Sequence, residues 1–105
     1  MSETDRPIVV KVEAGGDTEL EPPAFLIRGV RALLDEGYRE VFLDVSLLKS
    51  FDSLLLAAIV QSYVSAVKRG ATLKVLNPPK RLRDLLVVTK LDRVIETVVT
   101  DPLSS

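Results

Sequence analysis

A single α/β domain, with a four- to five-stranded mainly parallel sheet and three to four helices, is what this sequence predicts. Three observations carry that expectation. Short β-branched runs alternate with longer segments of helical period, glycines and prolines fall at the joints, and the core material is aliphatic. Hydrophobic residues make up 47% of the chain but aromatics only 5%, so Leu, Val and Ile must build the interior. A parallel sheet under helices uses that material. With 105 residues the chain is long enough for one buried core and too short for two.

The elements follow in order. Ile8 to Glu13 is β-branched, starts just after Pro7 and reads as a strand, and Gly15-Gly16-Asp17 ends it. Pro22-Pro23 suits a helix start, where missing N–H groups are not needed. From Ala24 to Glu36 the residues Leu26, Ile27, Val30, Leu33 and Leu34 recur at helical spacing. Gly37 then stands where a left-handed C-terminal residue is wanted. Glu40 to Val45 is nearly continuously apolar and predicts a strand covered on both faces. Asp52 or Ser53 caps a helix running to about Arg69. Leu56, Ile59, Val60, Tyr63 and Val67 are expected on its sheet face, with Ala58, Gln61, Ser62 and Ser65 on the other. Gly70 stops it. Ala71 to Leu76 is a third strand, Lys80 to Val88 a helix after Asn77-Pro78-Pro79, and Val94 to Val99 a closing strand. The domain core spans about residues 8–99, with short polar tails. Short connections between such elements imply right-handed crossovers.

Composition narrows the chemistry. Fourteen Lys and Arg against 15 Asp and Glu leave a net charge of −1, which gives no electrostatic reason to expect a nucleic acid or an anionic membrane as partner. The chain has no cysteine and no histidine, so it lacks thiolate ligands, the usual zinc ligand and the usual general base. The scattered acids form no catalytic pair. A binding module without catalytic residues, cofactor or metal is expected. The polar start, unlike a signal peptide, and the lack of a bilayer-spanning apolar run point to the cytoplasm and to no direct membrane insertion.

Few residues qualify as a site. Gly15-Gly16 alone is a turn signal and not a phosphate loop. Asp44 is expected to hydrogen-bond loop N–H groups at the end of its strand. Lys80, Arg81 and Arg83, with Asp84 among them, read as a solvated helix face or, less simply, as a phosphate contact. Asp52-Ser53 differs in kind. A helix start presents free N–H groups and the positive end of the dipole, so a hydroxyl there is exposed and suited to conversion to phosphate. On local physics alone, simple capping is the better reading of both residues.

The order of elements, Phe51-Asp52-Ser53 after Val41-Phe42-Leu43-Asp44-Val45-Ser46, the Lys68-Arg69-Gly70-Ala71 turn, Val75-Leu76-Asn77-Pro78 and Leu85-Leu86 followed by Leu91-Asp92-Arg93-Val94 together resemble the STAS domain family. Within it the anti-sigma factor antagonists are most similar, from about Ile8 to Val99. The resemblance implies that Ser53 is phosphorylated by an anti-sigma factor that is a serine kinase, and released by a PP2C-type phosphatase. By the match Asp52 is the capping neighbour of Ser53; the partner-binding set expected is Asp17, Asp52, Ser53, Leu54, Leu55 and Ala58, and a homo-oligomer is left open. Leu54 and Leu55 stand where the family has Ser or Thr and then Gly, so the docking surface differs from the usual one. Lys90 replaces a common Gly, the family's first strand is lacking, and Gly15-Gly16-Asp17 matches the family's Gly-x-Leu-Asp turn only loosely. Apolar residues after Asp-Ser are also similar to stressosome STAS scaffolds. An unphosphorylated STAS subunit of a lipid transport ATPase is a further alternative. A receiver domain phosphorylated on Asp44 shares the α/β class but would need an acidic pair where Glu13-Ala14-Gly15 stands, and a late-strand lysine.

Overall fold

Eight segments in the computed structural model follow the expected alternation, and the structure describes residues 5–12, 24–48 and 53–100. They are β1 (Ile8–Lys11), α1 (Ala24–Asp35), β2 (Glu40–Asp44), α2 (Ser53–Lys68), β3 (Thr72–Leu76), α3 (Lys80–Val88), a 3₁₀ turn (Leu91–Arg93) and β4 (Thr97–Val98). The four strands are all parallel and lie in chain order, β1-β2-β3-β4. Each crossover therefore steps the same way along the sheet, and right-handed crossovers put all three helices over one face.

Registry lines up the inward side chains. Ile8 lies beside Val41 and Val41 beside Leu73, while Val10, Leu43 and Val75 form the next row. Val41, Leu43, Leu73 and Val75 are buried together with Val30, Leu34, Ile59, Leu82, Leu86 and Ile95 from the helical layer. Each such side chain contributes about 1.5–3 kcal/mol by leaving water.

The opposite face corrects the expectation of a sheet covered on both sides. Val9 is 51% exposed and Phe42, Asp44, Lys74 and Leu76 are half-buried. Lys74 Nζ lies 3.5 Å from Glu40 and 3.7 Å from Glu96, and 5.9 Å from the centre of the Phe42 ring. The aliphatic run in β2 thus serves a buried face and a half-exposed one, on which a cation shields the aromatic ring.

Helix ends follow the glycines. Gly37 has φ 105°, its N–H bonds to Leu34 O at 3.0 Å, and Tyr38 N–H bonds to Leu33 O at 3.2 Å. Gly70, with φ 71°, repeats the pattern through Gly70 N–H to Val67 O at 3.0 Å and Ala71 N–H to Ala66 O at 2.8 Å. Both are Schellman closures, which satisfy the last carbonyls of α1 and α2. After α3 the same left-handed place is held by Lys90, at φ 63°, a strained conformation for a residue with a Cβ.

Packing of α2 departs from the sequence pattern. Its buried residues are Leu55, Ala58, Ile59, Ser62, Ser65 and Ala66, whereas Leu56, Val60 and Tyr63 are half-buried and Val67 is exposed. Ala58, Ser62 and Ser65, expected on the outer side, are inside because α2 is flanked by α1 as well as by the sheet. Arg31 Nε donates to Ser65 Oγ at 3.4 Å, and Arg69 meets Asp35 Oδ1 at 3.0 Å. The same sequence offset of 34 in both contacts shows that the two helices run parallel. Small side chains let them approach closely.

The closing strand is also shorter than expected. Val94 is exposed and Ile95 N–H closes the 3₁₀ turn on Leu91 O at 2.8 Å, so only Thr97–Val98 pair with β3. Asn77, at φ 55°, clasps this end: its backbone N–H bonds to Val98 O at 2.7 Å, and its side-chain oxygen accepts from Thr100 N–H at 2.7 Å.

Candidate partner-docking site

Strand β2 leads into the site. Val45, fully buried, donates its N–H to Leu76 O at 3.1 Å and so extends the β2–β3 pairing past the strand. Asp44 Oδ1 accepts from Ser46 N–H at 3.0 Å, the loop-turning role expected of it. Leu48 then turns back into the core and accepts no exposure beyond 7%, while Leu47 beside it is 55% exposed. The chain leaves the sheet on an anchor of one leucine and presents the other to solvent. Sequence reasoning passed over Leu47; the Leu47-Leu48 pair, one to bury and one to spare, was the available signal.

Ser53 is the first residue of α2, a helix of 16 residues, and it is exposed. Leu54 follows it at 63% exposure. The N–H groups of this first turn lack intrahelical acceptors, and the helix dipole adds a partial positive charge there. A serine hydroxyl at that place is accessible, and a phosphate attached to it would be tolerated by the helix itself.

Two members of the expected docking set do not face solvent. Leu55 is 7% exposed and Ala58 is 1% exposed. Leu55 belongs to the core cluster, and Ala58 lies on the arc where α2 is closed off by the body of the domain. The cause is tertiary packing: Ala58 lies one turn beyond the exposed Leu54 on α2, but α1 and the sheet together close that part of the helix, and Leu55 turns into the core. The accessible part of the set on α2 is thus Ser53 and Leu54. Asp17 and Asp52 lie outside the described residues.

Lys80, Arg81, Arg83 and Asp84 are all exposed on α3, and none of them takes part in an ion pair among the described residues. They form a solvated helix face. Among the described residues no group of three acidic side chains is placed to hold a metal ion. Among them, too, no helix is long and apolar enough to cross a membrane.

A one-sided parallel sheet under three helices, with an exposed serine opening the second, defines the class of small α/β domain to which the chain belongs. It is a member of the STAS domain family: the family described as Mlab, STAS domain matches residues 1–100. A Thermotoga maritima protein named "Putative anti-sigma factor antagonist" is 32% identical over 63 residues, 60% of this chain and 56% of that protein. A Thermotoga neapolitana protein named "Putative anti-sigma factor antagonist TM1081 homolog" shows the same identity and coverage. The chain spans about half the length of the curated relatives it matches, 56% in each case. The crystal structure of a Thermotoga maritima protein described as a "putative anti-sigma factor antagonist" superposes with a TM-score of 0.70 at 23% identity, over 91% of this chain and 82% of that one. An NMR structure of the protein TM1081 gives a TM-score of 0.70 at 25% identity, over 99% and 79% of the two chains. The parallel α/β fold read from the sequence is the fold these neighbours share.

Proposed function

We propose that this chain is an anti-sigma factor antagonist: a non-enzymatic module that binds an anti-sigma factor kinase in the cytoplasm and is switched off by phosphorylation of Ser53. The observation that carries the reading is the exposed Ser53 hydroxyl at the opening of α2, with the 63%-exposed Leu54 next to it. Similarity to proteins named as antagonists supports the same partner class. Leu54, and Leu47 on the approach from β2, supply the apolar contact, as exposed large aliphatic side chains do at interfaces. Transfer of the ATP γ-phosphoryl group to Ser53 Oγ, with ADP and the hydroxyl proton released, would put a charge of about −1.5 to −2 into that contact. Desolvating it is costly, so the partner leaves. A PP2C-type phosphatase returns the serine by hydrolysis.

Incubation with an anti-sigma kinase and ATP, followed by mapping of the phosphosite, tests the modification. Phosphate on Ser53 that survives acid is the expected result. An acid-labile phosphate, or one confined to another residue, would overturn it.

A second reading is favoured by the description of the matching family, Mlab, STAS domain, which is not that of the antagonists. Here the chain is a constitutive subunit of a lipid transport ATPase, and Leu47 and Leu54 are a permanent contact. Co-purification with an ATPase subunit that is indifferent to ATP-dependent phosphorylation separates the two.

A further inference from the structure

Helix α1 shows a face that neither the core nor the α2 site uses. Arg31 and Asp35 turn towards α2 through their contacts with Ser65 and Arg69. About a third of a turn further round, Phe25, Arg28, Gly29, Ala32 and Glu36 form one exposed strip. Phe25 is 57% exposed, and the Arg28 guanidinium lies 5.0 Å from the centre of its ring.

Among the described residues nothing requires position 29 to be glycine. It does not adopt a positive φ, and a Cβ built on it meets nothing within 4 Å. A glycine in mid-helix costs roughly 1 kcal/mol relative to alanine. Among the described residues neither backbone conformation nor packing offsets that. Close approach by something outside the monomer would.

Charge says what approaches. Arg28 and Glu36 carry opposite signs on the same strip, about two turns apart, and neither is in an ion pair among the described residues. Such a strip is complementary to its own reverse. We propose that this face of α1 is a self-association surface on which a second copy of the chain packs, its α1 antiparallel across a two-fold axis between Gly29 and Ala32. Gly29 then meets Ala32 of the second copy. Phe25 and Arg28 flank Glu36 of the second copy, and symmetry makes each of these contacts twice. Opposite charges fix the register, and the small pair brings the helix axes together. A 12-residue helix buries less than the ~800 Å² per partner of a standard interface. The dimer is therefore weak, forms at high protein concentration and leaves the α2 site free.

Sedimentation equilibrium over a rising concentration series of the intact chain tests this. A monomer–dimer equilibrium is expected. Gly29→Leu should weaken the dimer by ~10-fold or more, the equivalent of about 1.4 kcal/mol, without lowering the melting temperature, because the site is open in the monomer. Arg28→Glu should weaken it similarly, and adding Glu36→Arg to that variant should restore it. A chain that stays monomeric throughout would overturn the proposal, whether another protein or solvent then covers the face. So would a dimer that Gly29→Leu leaves intact, or a charge reversal that the second substitution fails to rescue.

Discussion

At its C-terminal end α2 is tied to α1 and closed by a glycine turn, whereas its first two residues are left to solvent. Ser62 and Ser65 are buried, Ser65 accepts from Arg31, Arg69 pairs with Asp35, and the Gly70 closure satisfies the last carbonyls. At the other end Ser53 and Leu54 stand clear of the body of the domain. One helix thus serves two purposes: its body is scaffold and its opening turn is presentation. The contrast teaches where change will be tolerated. Substitutions in the body should register as stability, and those in the opening turn as binding.

Ile59→Ala should break the scaffold most severely. Its side chain is fully buried, and truncation of this kind costs about 2–5 kcal/mol, a large fraction of what a small domain has. Denaturant unfolding should show the loss as a lower midpoint at unchanged slope. Ser62→Ala goes the other way: the buried Ser62 hydroxyl has no hydrogen-bond partner among the described residues, so removing it should stabilise by about 1 kcal/mol. Asp35→Asn is a smaller perturbation still. The pair it breaks has side chains 40% and 66% exposed, and such pairs are worth about 0–1 kcal/mol, less in salt. Leu54→Ser should leave the unfolding midpoint where it was, and yet weaken capture of the partner kinase. A fall in stability there would mean that the opening turn is scaffold after all.

The alternation of elements was legible because its signals are local. Gly37 and Gly70 adopt positive φ at the ends of the helices they were expected to close, and Asp44 turns its loop. What could not be read depends on neighbours distant in sequence. Phe42 looked like core, and becomes half-exposed only because the strands lie in chain order and put every helix on one face. Ala58, Ser62 and Ser65 carry little hydrophobic signal, so the α1-facing arc of α2 was assigned to solvent. Leu55 and Ala58 were expected at the docking surface for their nearness to Ser53, and packing against residues distant in sequence takes them out of it. Ser53 could be singled out because a helix start is a local feature. Its partner cannot be read from local features at all.

The central claim is that the opening turn of α2 is a docking site governed by charge at Ser53. Titration of an anti-sigma kinase against three forms of the chain tests it most directly. Ser53→Ala should bind as the unmodified protein does, and Ser53→Asp at least ~10-fold more weakly, about 1.4 kcal/mol, with both variants as stable as the parent. Equal affinity for Ser53→Ala and Ser53→Asp would contradict the account.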